Sequence, residues 1–196
     1  MAVMTQPFAT MAPTVLIETA AARVSLAAPT GRLSLRARGD LAPLNAALGL
    51  SLPTKIGQRA ETETNADADG AGPLQVLCLG PDEWSILAPL DTVGDLQAAC
   101  AAVYASLPHS LVDISGRENS LVIDGPRADE LLSIGCPRDL DSIPVGEGRR
   151  TNFDDVAVVL WRDGPTAFRM DIWHSFSSHL YQLLETGCRE LAAEPI

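Results

Sequence analysis

The feature that most constrains the fold of this chain is a pattern that occurs twice along it. Glycines bracket a short predicted helix at the same spacing each time, as Gly39 with Gly49 and as Gly125 with Gly135. Each of these segments is followed by a Gly–Pro turn and an aromatic residue, in GPDEW (80–84) and in GPTAF (164–168). The pattern reflects either an internal duplication or two similar units built on the same logic.

This repeat predicts an α+β fold made of two similar β-α-β-β-α units, with antiparallel hairpins and helices on one face. We expect residues 1–22 to form a loose N-terminal tail. Residues 23–196 are predicted to form a single domain with two halves, 23–107 and 108–196. The polar, acidic segment 61–72 is predicted to be an exposed loop.

Hydrophobic periodicity and turn residues place the individual elements. Strands are predicted at 32–38, 74–79, 84–89, 110–115, 120–124, 154–162 and 166–173. Helices are predicted over 39–50 with Asp40 as the N-cap, from Asp91 to about 107, from Pro126 to Ile134, and in a final segment capped by Ser175 or Ser177.

Composition excludes two classes of partner. The chain has 196 residues, of which 46% are apolar, so it can bury a sizeable core. Its 14 basic and 25 acidic residues give a net charge of -11, which argues against nucleic acid and against anionic membrane surfaces. Lys55 is the single lysine, so almost all positive charge is carried by Arg, which pairs well with carboxylates at contacts.

The cysteines and the N-terminus indicate a reducing compartment. Four cysteines are spread along the chain without a CxxC pair, and we expect them to be reduced and mostly buried. The first 15 residues have neither a basic segment nor a continuous apolar stretch. No window approaches the ~20 apolar residues of a membrane-spanning helix. The chain is therefore predicted to be soluble and cytoplasmic, with no membrane partner.

The stretch GPRADELLSIGCPRDLDSIPVG (125–146) raises the question of a reactive cysteine or an acidic metal loop. Cys136 follows a predicted helix C-terminus, where the partial charge is negative and disfavours a thiolate. A nucleophilic cysteine needs a helix N-terminus or a cationic neighbour. The sequence therefore favours a structural thiol, in a link that joins the helix to the next strand.

Catalytic patterns are missing from the sequence. The histidines His109, His174 and His179 do not have metal-ligand spacing, and no HExxH motif, GxSxG motif or phosphate-binding glycine loop occurs. Ser115 is predicted to be a turn residue. The carboxylates of Asp139, Asp141 and Glu147 are predicted to lie in a solvated loop and not to form an acid/base pair. No catalytic, cofactor-binding or metal-binding residue is assigned.

The tryptophans lie on predicted hairpin strands, at Trp84, Trp161 and Trp173. Burial is the ordinary expectation for these side chains. Trp173, with His174 and Phe176, sits instead at a strand-to-helix junction, where it could anchor a partner.

Longer stretches identify a family. The segments LCLGPDEWSIL (77–87), VDISGRENSLVIDGPRADELLSIGCPRDLDSIPVGEGRRTNFDDVAVVLWRDG (112–164) and FRMDIWHSF (168–176) together resemble the gamma subunits of heterotetrameric sarcosine oxidase. The resemblance covers residues 74 to 190, with a weaker match over 23–60. The fold that it implies is that of the folate-binding domain of aminomethyltransferases, the T-proteins.

The resemblance implies a non-catalytic role in a known reaction. The family's enzyme demethylates sarcosine to glycine, producing hydrogen peroxide and 5,10-methylenetetrahydrofolate. The flavins FAD and FMN are expected on the beta subunit, NAD and tetrahydrofolate on the alpha subunit, and zinc on the delta subunit. No cofactor is expected on this chain, and Cys136 and Asp139 are expected to stabilise the fold. Asp139 or Asp141 is expected to cap a turn or to pair with Arg.

A second hypothesis comes from a different functional class. A stand-alone tetrahydrofolate-binding protein or aminomethyltransferase-like enzyme would need an acidic residue for the pterin, and Asp113 is the candidate. A subunit, by contrast, would expose a large apolar face when isolated, or would self-associate to cover it.

Overall fold

A computed structural model of the protein describes residues 12–62 and 73–194. The strands are β1 (Thr14–Glu18), β2 (Arg23–Leu26), β3 (Gly31–Ala37), β4 (Arg59–Glu61), β5 (Gln75–Gly80), β6 (Glu83–Ala88), β7 (His109–Asp113), β8 (Glu118–Asp124), β9 (Gly148–Phe153), β10 (Val156–Gly164) and β11 (Ala167–Trp173). The helices are α1 (Ala42–Leu48), α2 (Val93–Ala102), α3 (Ala128–Ser133) and α4 (Ser177–Ala193). Within residues 12–62 and 73–194, no helix is both long and apolar enough to span a bilayer.

The chain divides into two compact units. Unit 1 holds the described residues up to Pro29 together with those from Gly116 onward, and unit 2 is the continuous segment Thr30–Ser115. Each unit consists of one antiparallel sheet with two helices packed on one face. The predicted α+β class is therefore confirmed.

Unit 2 contains a five-stranded sheet with the order β4-β5-β6-β3-β7. Leu33 and Leu35 alternate with polar residues along β3, so both point to the same face. On that face they are fully buried against Leu44 of α1 and Cys100 of α2. The predicted alternation of residues 32–38 thus builds the core of this unit.

Unit 1 contains a six-stranded sheet with the order β1-β2-β8-β11-β10-β9. Phe168, Met170 and Ile172 alternate along β11 and face the core. There they join Leu131 of α3 and Leu184 of α4, both completely buried. The helix α4 carries its apolar residues on this face and its charged residues on the other.

Sheet pairing crosses the boundary between the predicted halves. Strand β2 directly precedes β3 in the sequence but pairs with β8, while β7 directly precedes β8 but pairs with β3. The halves 23–107 and 108–196 each supply one strand to the sheet of the other, so the structural units differ from those halves. Period-2 alternation identifies a strand but does not say which strand pairs with it.

Several strands are absent from the prediction. Residues 14–18 form β1, paired with β2, so the predicted loose tail is wrong at this segment; residues 1–11 lie outside the described part of the chain. Leu16 and Ile17 of β1 pack against the core of unit 1. Strands β2, β4 and β9 were missed because they are short or, like GRRTNF in β9, mostly polar.

Two further local expectations need correction. Asp154 and Asp155, predicted to begin a strand, instead form the two-residue turn between β9 and β10, with φ values of 46° and 62°. The final helix is not capped by a serine side chain, because Phe176 occupies the N-cap position without a side-chain hydrogen bond. Of the predicted loop 61–72, Glu61 ends β4 and residues 63–72 lie outside the described residues.

At two positions of the repeat, the backbone conformation explains why the residue is glycine. Gly49 ends α1 with a left-handed φ of 69°, as predicted for a helix stop. Gly125 follows β8 with a φ of 135°, and a Cβ built there would lie 2.7 Å from the Cα of Ala22 and 2.9 Å from the carbonyl oxygen of Ala21. The turn between β1 and β2 therefore approaches the chain at a point where only glycine fits.

Replacing Gly125 tests this packing. Gly125→Ala is expected to lower the free energy of unfolding by about 2 kcal/mol or more, because it combines a strained φ with a backbone clash. Gly116→Ala is the matched control: no atom lies within 4 Å of its built Cβ, so the change should stay within about 0.5 kcal/mol. Chemical denaturation of both variants measures the difference, and equal stabilities would contradict the described packing.

Candidate partner-binding surface

Two large aromatic side chains are exposed where β11 ends and α4 begins. Trp173 is 48% exposed and Phe176 is 43% exposed, and the tight turn His174–Phe176 joins them. Aromatic side chains of this size are usually buried, and Trp and Arg are enriched at the centres of protein interfaces. Arg117, Trp173, His174 and Phe176 together are called the aromatic surface below.

Backbone pairing fixes the geometry of the aromatic surface. Trp173 is the last residue of β11 and lies opposite Glu118 of β8 in the antiparallel register. The N–H of His174 donates to the carbonyl oxygen of Arg117 at 2.9 Å, which continues the pairing beyond the strands. Ser177, at the start of α4, is buried and accepts a hydrogen bond from Asn119 Nδ2 at 3.1 Å.

The Arg117 guanidinium lies over the Trp173 ring. Its Cζ is 5.0 Å from the ring centroid, within the range of a cation–π interaction. Its Nη2 also donates to Glu118 Oε1 at 2.9 Å. The bond to Glu118 positions the guanidinium, and the guanidinium restrains the exposed Trp173 ring, so less side-chain freedom would be lost when a partner binds.

Sequence reasoning found only part of this surface. Trp173, His174 and Phe176 were singled out together, and the structure places all three at the exposed junction. Arg117 was missed because it sits in the predicted turn 116–119, which lies far from Trp173 in the sequence. Pairing of β8 with β11 brings the two together, and no local pattern signals that pairing. The other tryptophans, Trp84 and Trp161, are buried on β6 and β10.

Asp113, the candidate folate acid, lies in a tight turn at the end of β7. Its Oδ1 accepts from the hydroxyl of Ser115 at 2.6 Å and from the N–H of Ser115 at 2.9 Å. These hydrogen bonds lower the pKa of Asp113 because they stabilise the charged form. The carboxylate is therefore engaged in holding the turn.

The link that follows α3 places Cys136 beside an open depression of about 330 Å³. The thiol is only 8% exposed, and its Sγ lies 4.0 Å from Thr151 Oγ1 on β9. Cys136 packs with the core of unit 1. This placement agrees with the structural thiol that the sequence favours.

The three carboxylates of the link have separate structural partners. Asp139 caps the short turn Leu140–Ser142 by accepting from the N–H of Asp141 at 3.1 Å. Asp141 pairs with Arg162 at 3.3 Å. Glu147 pairs with Arg149 at 2.8 Å. Capping and arginine pairing, which the sequence left as alternatives, therefore both occur, one at each aspartate.

The four cysteines are buried and form no disulfide, as predicted. Burial raises the pKa of Cys78 and of Cys100, and it raises the pKa of Cys188 to about 11. A thiol in such surroundings is a weak nucleophile at neutral pH, because the thiolate is the reactive form.

The histidines do not come together. His109 packs against Tyr104 in a tilted arrangement, with ring centroids 5.5 Å apart and an interplanar angle of 59°. His179 Nε2 lies 2.8 Å from Asp154 Oδ2, while His174 contacts the carbonyl oxygen of Arg117. In the part of the chain that the structure describes, no group of three His, Cys, Asp or Glu side chains could hold a metal ion.

The buried acidic residue Asp171 was not singled out from the sequence. Asp171 is 2% exposed and accepts from Ser120 Oγ at 2.5 Å and from Trp161 Nε1 at 2.6 Å. The Arg169 guanidinium lies 4.5 Å from the centroid of the Trp161 ring. Strict alternation along β11 was the available signal, because it places Asp171 and Arg169 on the face opposite Phe168 and Met170.

Comparison with curated proteins gives a consistent result. Over 175 residues, the chain is 29% identical to the gamma subunit of sarcosine oxidase from Corynebacterium sp. (strain P-1), covering 88% of this chain and 81% of that protein. Over 162 residues, it is 32% identical to the gamma subunit from Corynebacterium sp. (strain U-96), covering 79% of this chain and 72% of that protein. The chain belongs to the sarcosine oxidase gamma subunit family. No protein-family model matches it.

Solved structures support this family at the level of the fold. The heterotetrameric sarcosine oxidase from Corynebacterium sp. U-96, solved in complex with pyrrole 2-carboxylate, matches with a TM-score of 0.76 and 29% identity over 93% of this chain and 91% of that chain. An aminomethyltransferase T of the glycine cleavage system from Bartonella henselae matches with a TM-score of 0.58 at 16% identity, covering 79% of this chain and 43% of that one. The second match shows the fold alone, and it confirms the T-protein-like fold expected from the sequence.

Truncation of the tryptophans tests whether the aromatic surface has a structural role. Trp173→Ala should cost about 1 kcal/mol or less of unfolding free energy, because the side chain is half exposed and loses mainly one cation–π contact. Trp84→Ala should cost about 3–5 kcal/mol, because that ring is buried in the core of unit 2. Denaturant unfolding compares the two, and similar losses would assign Trp173 to the core.

Proposed function

We propose that this chain is the gamma subunit of a heterotetrameric sarcosine oxidase, assembled with alpha, beta and delta subunits. In that complex it supports the oxidative demethylation of sarcosine to glycine, with formation of hydrogen peroxide and 5,10-methylenetetrahydrofolate. The observation that carries the proposal is the similarity to gamma subunits along most of both chains, in sequence and in fold.

We further propose that the chain supplies binding surface while the chemistry takes place elsewhere in the complex. In this proposal FAD, FMN, NAD, zinc and tetrahydrofolate are all held by the other subunits. The engagement of Asp113, Asp139 and Asp141 in turns and ion pairs supports this division. The exposed aromatic surface supplies the kind of residues that interfaces use.

A cytoplasmic location fits the same proposal. All four cysteines are buried free thiols, as is usual in compartments that keep thiols reduced. The chain carries a net charge of -11, which disfavours binding to anionic membrane surfaces and to nucleic acids.

Stand-alone folate binding, the other function considered from the sequence, is not favoured. Its candidate acid, Asp113, is exposed and bound to Ser115 in a turn. The curated relatives are gamma subunits of an oxidase, and the match to aminomethyltransferase T concerns the fold alone.

Affinity purification of the tagged full-length chain from its native cells tests the proposal. We expect three further chains to co-purify and to be identified by mass spectrometry as the alpha, beta and delta subunits of a sarcosine oxidase. The eluate should show the absorbance of bound flavin and should oxidise sarcosine.

The contrary outcome is a colourless, lone chain from cells in which the other three subunits are expressed. In that case, addition of tetrahydrofolate while thermal unfolding is followed separates the two functions. A folate-binding protein gains stability by mass action with increasing ligand, whereas the proposed subunit does not.

A further inference from the structure

The aromatic surface exposes a cationic side chain, Arg117, on a chain that is acidic as a whole. The chain carries 25 acidic against 14 basic residues. At the junction of β11 and α4, however, the exposed side chains include Arg117 together with His174 and two aromatic rings. Glu118, which pairs with Arg117, has a side chain that is only 10% exposed against 42% for Arg117, so the guanidinium is the more accessible member of this ion pair.

The start of α4 adds a second positive contribution. This helix is 17 residues long, has no acidic residue in its first turn and has no side-chain cap. The N-terminus of a helix carries a partial positive charge that a nearby carboxylate ordinarily neutralises. From outside the helix, Asp154 approaches this turn, with its Oδ2 2.8 Å from Nε2 of His179, the third residue of α4.

Arg117 has donors left for an external carboxylate. Its contact with Glu118 uses Nη2, whereas a guanidinium carries five N–H donors. Arginine binds carboxylates in a bidentate manner, and its stacking on Trp173 already holds it in place. Aromatic groups on both sides of the turn provide apolar contact beside this charge.

We propose that the aromatic surface docks an acidic segment of another sarcosine oxidase subunit. A carboxylate of that segment binds Arg117 near the N-terminus of α4, and an apolar side chain next to it packs between Trp173 and Phe176. This inference rests on the proposed function, and it specifies the surface and the chemistry of the partner segment. Charge and apolar complementarity carry it together, because the accessible guanidinium of Arg117 lies over the exposed Trp173 ring.

Competition during assembly tests the proposal with the complete complex. The alpha, beta and delta subunits are co-expressed with equal amounts of wild-type and Arg117→Glu gamma chains, and the complex is isolated through a tag on the beta subunit. Mass spectrometry gives the ratio of the two gamma chains. We expect Arg117→Glu to be incorporated about tenfold less than wild type, because like charges then face each other.

Arg189→Glu is the matched control. Arg189 is also exposed and also pairs with a glutamate of its own chain, Glu185, at 2.8 Å, but it lies towards the C-terminal end of α4. It should be incorporated as well as wild type. Equal incorporation of Arg117→Glu and Arg189→Glu overturns the docking proposal while leaving the proposed function intact. A complex that contains no gamma chain of any kind overturns the proposed function instead.

A second variant identifies the partner and does not depend on loss of binding. The chain has a single lysine, Lys55, so Arg117→Lys introduces one new amine on the aromatic surface. A carbodiimide, which couples amines to carboxylates directly, is applied to the assembled complex before peptide mapping. We expect position 117 to be joined to an Asp or Glu of another subunit.

The remaining cross-linking outcomes contradict the proposal. A link from position 117 only to Glu118 of the same chain, or no link at all in a complex that contains the variant, shows that no acidic segment lies there. A link to a second gamma chain assigns the surface to self-association. Binding of the isolated chain to vesicles of anionic lipid, lost in Arg117→Glu but not in Arg189→Glu, assigns it to a membrane.

Discussion

Reciprocal pairing of strands is the constraint on which the rest of this structure depends. Each sheet includes a strand whose neighbour along the chain belongs to the other sheet. Strand β2 directly precedes β3 but pairs with β8, and β7 directly precedes β8 but pairs with β3. As a consequence β8 has a hydrogen-bonded neighbour on both sides, β2 and β11. A repeat that looks like two consecutive halves therefore has to fold with non-local backbone pairing, which carries a larger loop-closure entropy than local pairing.

The aromatic surface is a direct product of this arrangement. Because β8 is fixed from both sides, the antiparallel register with β11 places Trp173 opposite Glu118 and next to Arg117. The backbone then turns tightly over His174–Phe176 into α4, whose apolar face is anchored in the core of unit 1. Two exposed aromatic rings are thus carried on a rigid scaffold, which is how interface residues are preorganised.

Local sequence patterns predicted the features that depend on interactions between residues close together in the sequence. Alternation in β3 and β11 and the left-handed glycine at the end of α1 depend on neighbouring residues. The pairing partners of β2 and β7, the polar edge strand β9 and the position of Arg117 over Trp173 depend on contacts between distant residues. Asp171 shows the same limit, because alternation gives its face but not its partners Ser120 and Trp161.

A structure of the purified four-subunit oxidase that contains this chain, determined by cryo-electron microscopy, tests the central claim most directly. The account predicts one gamma chain in each complex, with Trp173 and Phe176 buried against another subunit and a carboxylate of that subunit at Arg117. A complex in which both aromatic side chains face solvent contradicts the account of the aromatic surface. A complete, active oxidase that lacks this chain contradicts its assignment as a subunit.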